Sequence, residues 1–204
     1  MKISDSYKTI KSVSCGIYKE KGSKFISEAY PVTDESEIKI ILENVRKKYH
    51  EAKHHSYAYL LGKEGQVRRT NDDGEPSGTA GKPIMGQIRS FRLTNVLIIV
   101  SRYFGGTLLG VSGLINAYRS AAESALSNAE IIDHIIHEFY EITYPYSAMN
   151  DVMKIIKEEN IIQSDHNFDL ECRIIIDFRS PAKESIIERF SRIEGLNYRF
   201  LFAK

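Results

Sequence analysis

A chain of 204 residues with 42% apolar and 27% charged content has room for one large domain or two small ones, and the balance of an ordinary globular protein. No apolar run approaches the roughly 20 residues that span a bilayer, and Met1–Lys8 lacks the apolar core of a secretory signal. No membrane partner is therefore expected, and the expected location is the cytoplasm. Cys15 and Cys172 show no metal-type spacing and read as reduced thiols. The net charge of +1 conceals an asymmetry: 19 Lys and Arg against 15 Asp and Glu in residues 1–134, but 9 against 12 in residues 135–204. The first part leans toward an anionic partner.

The chain opens with a predicted hairpin, Ser12–Tyr18 and Phe25–Tyr30, around the turn Lys21-Gly22-Ser23. A helix starts at Asp34, which can cap it, with Glu37 three residues on. Its apolar face is Ile38, Ile41, Leu42, Val45 and Tyr49. Short strands follow at Tyr57–Leu61 and Gln66–Thr70. Residues 71–90, with Pro76 and Pro83, read as a long loop, and loops of that length are usually functional. Val96–Val100 is a continuous apolar run, the mark of a strand buried on both faces. A helix over Gly113–Ser127 presents Ala117, Ala121, Ala122 and Ala125 as a small-residue face. After Ile131 the pattern becomes strand Phe139–Tyr144, helix Ala148–Glu159, strands Ile161–Ser164 and Leu170–Phe178, helix Pro181–Ile193 and strand Tyr198–Phe202. That order, βαββαβ, is ferredoxin-like. Two domains are expected, 1–134 and 135–204.

Eight of the 13 glycines fall between positions 74 and 113, in two loops on either side of the apolar strand. Glycine concentrates where a backbone takes positive φ or approaches something closely. The spacings exclude the usual nucleotide motifs: Gly81-Lys82 is followed by Pro83, which breaks a P-loop, and Gly105-Gly106…Gly110 is not GxGxxG. An anion on the N–H groups of the helix start and a merely tight strand-to-helix turn both remain open. Ser77 and Ser112 each miss the nucleophile-elbow spacing by one position. Asp72, Asp73 and Glu75 read as a solvated acidic turn near Arg68, Arg69 and Lys82, with magnesium as the less favoured reading. His50-Glu51-Ala52-Lys53-His54 matches HExxH, but Lys53 places a cation beside the metal and no third ligand follows. The histidines read as a helix end. No metal and no cofactor are expected.

The blocks Ser23-Lys24-Phe25, Ala52-x-His54-x-x-Tyr57-Ala58-Tyr59, Asp72–Pro83 and Arg102–Gly106 with Leu109-Gly110, Gly113-Leu114 and Ala117-Tyr118 together resemble the IMPACT family. The two-domain layout is similar to its bacterial YigZ-like branch. The resemblance implies an α+β fold of two domains. The first is a β-α sandwich like domain four of elongation factor G and the GHMP kinases, with a left-handed β-α-β unit. The second is a ferredoxin-like domain like domain five of that factor. It also implies work on RNA, on the ribosome or on a ribosome-associated protein, in the regulation of translation and without catalysis. Eukaryotic members dampen the general-control kinase and carry an RWD domain; no such segment is read here, so that partnership is not expected. The expected binding surface comprises His54, Tyr57, Arg68, Asp72, Asp73, Glu75, Ser77, Lys82, Arg102, Tyr103, Gly105, Gly106 and Arg119, with Tyr57 or Tyr103 free to stack on bases. Replacing Arg102 and Lys82 by alanine is expected to damage function and leave stability nearly unchanged. The alternative is an enzyme or binder acting on a nucleotide or phosphorylated substrate through the glycine loops. The oligomeric state is not legible.

Overall fold

Val96-Leu97-Ile98-Ile99-Val100 offers no polar side chain to either face of a sheet. In the computed structural model of the chain, which describes residues 5–167 and 171–204, this strand is buried on both faces. It is central to the larger of two units, Tyr7–His134. Strands β1 (Ser6–Ile10), β2 (Ser14–Glu20), β3 (Ser23–Pro31), β4 (His54–Leu61), β5 (Val67–Asn71), β6 (Val96–Tyr103) and β7 (Ile131–Ile135) alternate with helices α1 (Glu35–Lys48), α2 (Gly81–Ser90) and α3 (Gly110–Ser127). Five strands form one sheet in the order β2-β3-β6-β4-β5, every neighbouring pair antiparallel. Side chains alternate across a strand, so β6 serves two cores. Leu97 and Ile99 cluster with Ile38 and Val45 of α1, while Val96, Ile98 and Val100 cluster with Ile84 and Ile88 of α2 and the alanines of α3. The Asp34 carboxylate caps α1 by accepting the Ser36 and Glu37 N–H groups.

Two expectations for this unit change. Residues 81–90 are not loop but helix α2. Pro83 is compatible with a first helical turn, where no intrahelical N–H bond is required, and Ile84 and Ile88 lie one turn apart on its buried side. The second change is β1 and β7, which pair as a separate two-stranded sheet. Strands β4 and β6 also run beyond their expected ends, to His54 and Tyr103.

The second unit comprises the described residues of Ile135–Lys204 together with Asp5 and Ser6. Its elements are β8 (His137–Pro145), α4 (Met149–Glu158), β9 (Ile162–Asn167), β10 (Glu171–Arg179), α5 (Lys183–Ser191) and β11 (Asn197–Ala203). The sheet order β11-β8-β10-β9 is antiparallel throughout. Val152 and Ile156 of α4 and Ile186 and Phe190 of α5 cover Ile142, Ile174 and Ile176. The βαββαβ order is thus present. Pro181 stands in a 3-10 turn just before α5. The expected strand start at Leu170 lies outside the described residues, as do residues 1–4 of the N-terminal segment.

Gly105, two residues past β6, shows why this loop needs glycine. A Cβ there would come within 1.9 Å of the Gly22 carbonyl carbon and 2.1 Å of the Ser23 nitrogen. Both are backbone atoms that cannot rotate away, so Gly105→Ala should destabilise by about 1–3 kcal/mol. Gly86, inside α2, has nothing within 4 Å of that position. Gly86→Ala should stabilise by about 0.5–1 kcal/mol through helix propensity. Urea midpoints of the two variants check both signs, and an unmoved Gly105→Ala midpoint would contradict the close approach.

Candidate functional site

The acidic block after β5 is built from the inside. The Glu75 N–H donates to the Asp72 carbonyl at 3.0 Å, closing a turn. Its central residues Asp73 and Gly74 have φ of +46° and +87°. Two successive left-handed residues make a type I′ turn, for which Asp-Gly is a favoured pair. Asp72 then reaches forward: Oδ1 accepts the Ala80 and Gly81 N–H groups at 3.0 and 2.8 Å, and Oδ2 accepts that of Gly78 at 2.8 Å. The α2 N-cap residue is Ala80, which has no capping side chain of its own. Asp72 supplies the cap from a distance. Burial pushes its carboxyl pKa up, but the three N–H bonds and the nearby Lys82 outweigh that and hold it below the usual range.

Asp73 is equally committed. Its Oδ2 accepts the His55 N–H at 2.6 Å, its Oδ1 pairs with Arg46 at 2.8 Å, and its carbonyl meets His54 Nδ1 at 2.7 Å. The acidic turn is therefore an internal clamp, not the solvated one expected, and neither aspartate is left to hold magnesium. No group of three or more metal-ligating side chains occurs among the described residues. His50 follows α1 in a turn while His54 opens β4, so HExxH does not lie on one helix.

Glu75 turns inward. Its Oε1 accepts Arg102 Nη1 at 2.7 Å and the Tyr118 hydroxyl at 2.8 Å, with His54 Nε2 at 4.0 Å. Arg102 is 6% exposed and Glu75 8%. The Arg102 guanidinium also lies 5.4 Å from the Phe25 ring centre and 5.6 Å from that of Phe104. Burial, together with the Glu75 carboxylate, holds the Tyr118 phenol well above its ordinary pKa, so it remains a donor. Arg102 is thus an interior residue, and the expectation that its loss spares stability is corrected. Tyr57, also 6% exposed, packs under α1 and is not available for stacking.

The expected surface separates into two features of this unit. One is a pocket of about 430 Å³, where Glu75 and Pro76 of the first loop meet Phe104, Leu108 and the α3 start around His54 and Arg102. The other is a groove of about 490 Å³ lined by Arg68, Arg69 and Thr70 of β5 and Lys82, Met85, Gly86 and Arg89 of α2. Ser77, Gly105, Gly106 and Arg119 are exposed and Tyr103 is half-buried, but none of these lines either feature. Sequence reasoning named Tyr118 only within the family motif and left it out of the expected surface, since its role needs the tertiary fold, and it missed Lys53, which lay in the segment set aside with HExxH. It missed Arg89 because that residue lay in the supposed loop.

Removing one partner of a buried ion pair strands the other charge, at a cost of about 3–5 kcal/mol. Arg102→Ala should therefore lower stability by that order. Adding Glu75→Gln should recover part of it, while Lys82→Ala, exposed and outside any ion pair among the described residues, should leave the midpoint in place. Chemical denaturation of the three variants decides this. Asp72 adds a pH dependence. Its folded pKa lies below its unfolded one, so its stabilisation is complete above the ordinary carboxylate range and is lost as pH falls through the depressed value. Asp72→Asn should lose less stability than the parent between about pH 7 and about pH 3; equal losses would contradict the clamp.

The model of the Impact N-terminal domain family matches residues 21–126, more than half of the chain and all of both features. The IMPACT family member YigZ of Escherichia coli (strain K12) is 37% identical over 177 residues, covering 84% of this chain and 87% of that protein. YvyE of Bacillus subtilis (strain 168) is 27% identical over 186 residues, covering 91% and 84%. A crystal structure of a hypothetical protein aligns with a TM-score of 0.72 over 98% of this chain and 99% of its own, at 23% identity, and so shares the fold. The clamp, the buried pair and both surface features lie within the matched domain, and the chain belongs to the IMPACT family.

Proposed function

We propose that this protein is a non-catalytic RNA-binding protein of the cytoplasm that acts on the ribosome or a ribosome-associated partner in the regulation of translation. The observation that carries the reading is the β5–α2 groove. Arg68, Arg69, Lys82 and Arg89 are exposed along it. None forms an ion pair within 4 Å among the described residues. Four cations along a groove that no carboxylate lines suit a run of phosphates, whose neutralisation releases counterions and supplies most of the affinity. Strand β5 is at the sheet edge, which leaves the groove open along its length.

The proposed likeness of the first unit to domain four of elongation factor G, with its left-handed crossover, and of the second to domain five fits a protein that works at the ribosome. No helix among the described residues is long and apolar enough to cross a membrane. The alternative enzymatic reading has less support, because both aspartates that would hold a metal are engaged by backbone N–H groups and Arg46.

Filter binding with single-stranded RNA and with purified ribosomes tests this. Affinity should fall steeply with salt, and Arg68→Glu with Lys82→Glu should lower it at least tenfold while making the salt slope shallower by about 0.7 per lost phosphate contact. Retention that is absent at low salt, or unchanged in the charge-reversed variant, would overturn the reading.

A further inference from the structure

We propose that the pocket bounded by Lys53, His54, Arg102, Phe104, Leu108 and Val111 is a second binding site, for a small organic anion: a carboxylate or phosphate-monoester head on an apolar body. The site is independent of the RNA reading, since the phosphate groove uses none of these residues.

The walls set the apolar part. Phe104, Leu108 and Val111 are 42%, 82% and 59% exposed, an unusual concentration of large apolar side chains at one rim, and Leu109 and Leu114 continue the surface inward. A volume of about 430 Å³ falls within the range of small-molecule sites, which combine apolar walls with a few convergent polar groups.

The polar groups set the head. Gly110 and Val111 open α3, an 18-residue helix with no side-chain cap and no acidic residue in its first turn. Its N-terminus directs unsatisfied N–H groups and the positive end of the helix dipole at this rim. Arg102 provides the independent sign of a ligand. It is 6% exposed, it lines the pocket, and its Nε has no hydrogen-bond partner. Buried donors are normally satisfied, and a small shift of this side chain, which lines the pocket, would present the orphan donor to an acceptor there. Lys53 lies at the same mouth, its Nζ 5.7 Å from the Phe104 ring centre. The one carboxylate here, Glu75, is already met by Arg102 and Tyr118. Lys53 and the helix start therefore leave the pocket positive. His54 completes the floor, held by its Nδ1 contact with the Asp73 carbonyl.

Isothermal titration of the full chain with octanoate, octyl phosphate, octanol and inorganic phosphate tests the site. One or both amphiphilic anions should bind saturably, and which one does identifies the head group. Octanol and inorganic phosphate should each bind at least tenfold more weakly. Leu108→Asp and Lys53→Ala should each raise Kd at least tenfold without moving the melting temperature, since both side chains are exposed. Arg68→Glu with Lys82→Glu should leave the affinity unchanged. Amide shifts in NMR titrations should centre on Gly110 and Val111. Absence of saturable heat with both amphiphiles, octanol binding as tightly as octanoate, or Leu108→Asp binding like the parent would each overturn the proposal.

Discussion

One carboxylate joins the end of a strand, a loop and the start of a helix. Asp72 stands just after an exposed edge strand, and its two oxygens accept N–H groups from Gly78, Ala80 and Gly81. Helix α2 is only 10 residues long and begins on an alanine cap, so its first turn depends on a distant acceptor. Fixing that turn fixes where Lys82 and Arg89 emerge opposite Arg68 and Arg69. The same type I′ turn that aims Asp72 forward drives Glu75 inward. The basic groove and the floor of the apolar pocket are therefore two consequences of one backbone geometry.

The buried Glu75–Arg102 pair follows a different logic. Ion pairs taken out of water contribute little net stability, because desolvation offsets their attraction. Their partners nevertheless become obligatory. Arg102 lies one residue before the end of the central strand β6, Glu75 belongs to the turn, and Tyr118 belongs to α3, so the shared Oε1 fixes three elements relative to one another. Phe25 and Phe104 on the guanidinium restrict it further. A floor held this way changes little when the pocket is filled, which favours affinity by limiting reorganisation.

What the sequence made legible was whatever is encoded locally. The Asp34 cap and the spacing of Ile38, Leu42 and Val45 identify α1, five successive apolar residues identify β6, and the alanine face identifies α3. The order of elements in the second unit was readable for the same reason. Helix α2 was not, because Pro83 and four nearby glycines look like loop and its cap lies eight residues upstream, beyond any local window. Strands β1 and β7 pair across most of the larger unit, and no short pattern reports such a partner. The charged and aromatic residues of the site were found as types but not as positions. Tyr57 and Arg102 would look the same in sequence whether exposed or covered, and only packing by α1 and the glycine loops decides it.

Edge strands often carry cations simply to deter pairing with another sheet. That accounts for Arg68 and Arg69 on β5. It does not account for α2. Lys82 lies in the first turn of that helix, where a cation opposes the helix dipole, and the same turn has no acidic residue. Asp72, whose carboxyl pKa is lowered in part by the nearby Lys82, stands close by, but its oxygens are already taken by backbone N–H groups. Arg89 emerges seven residues later on the same side of the helix, toward the two strand arginines and not away from them. Mutual repulsion would favour dispersing four such charges. Their convergence, at a helix position where a cation is locally unfavourable, makes sense when an external anion shares the groove.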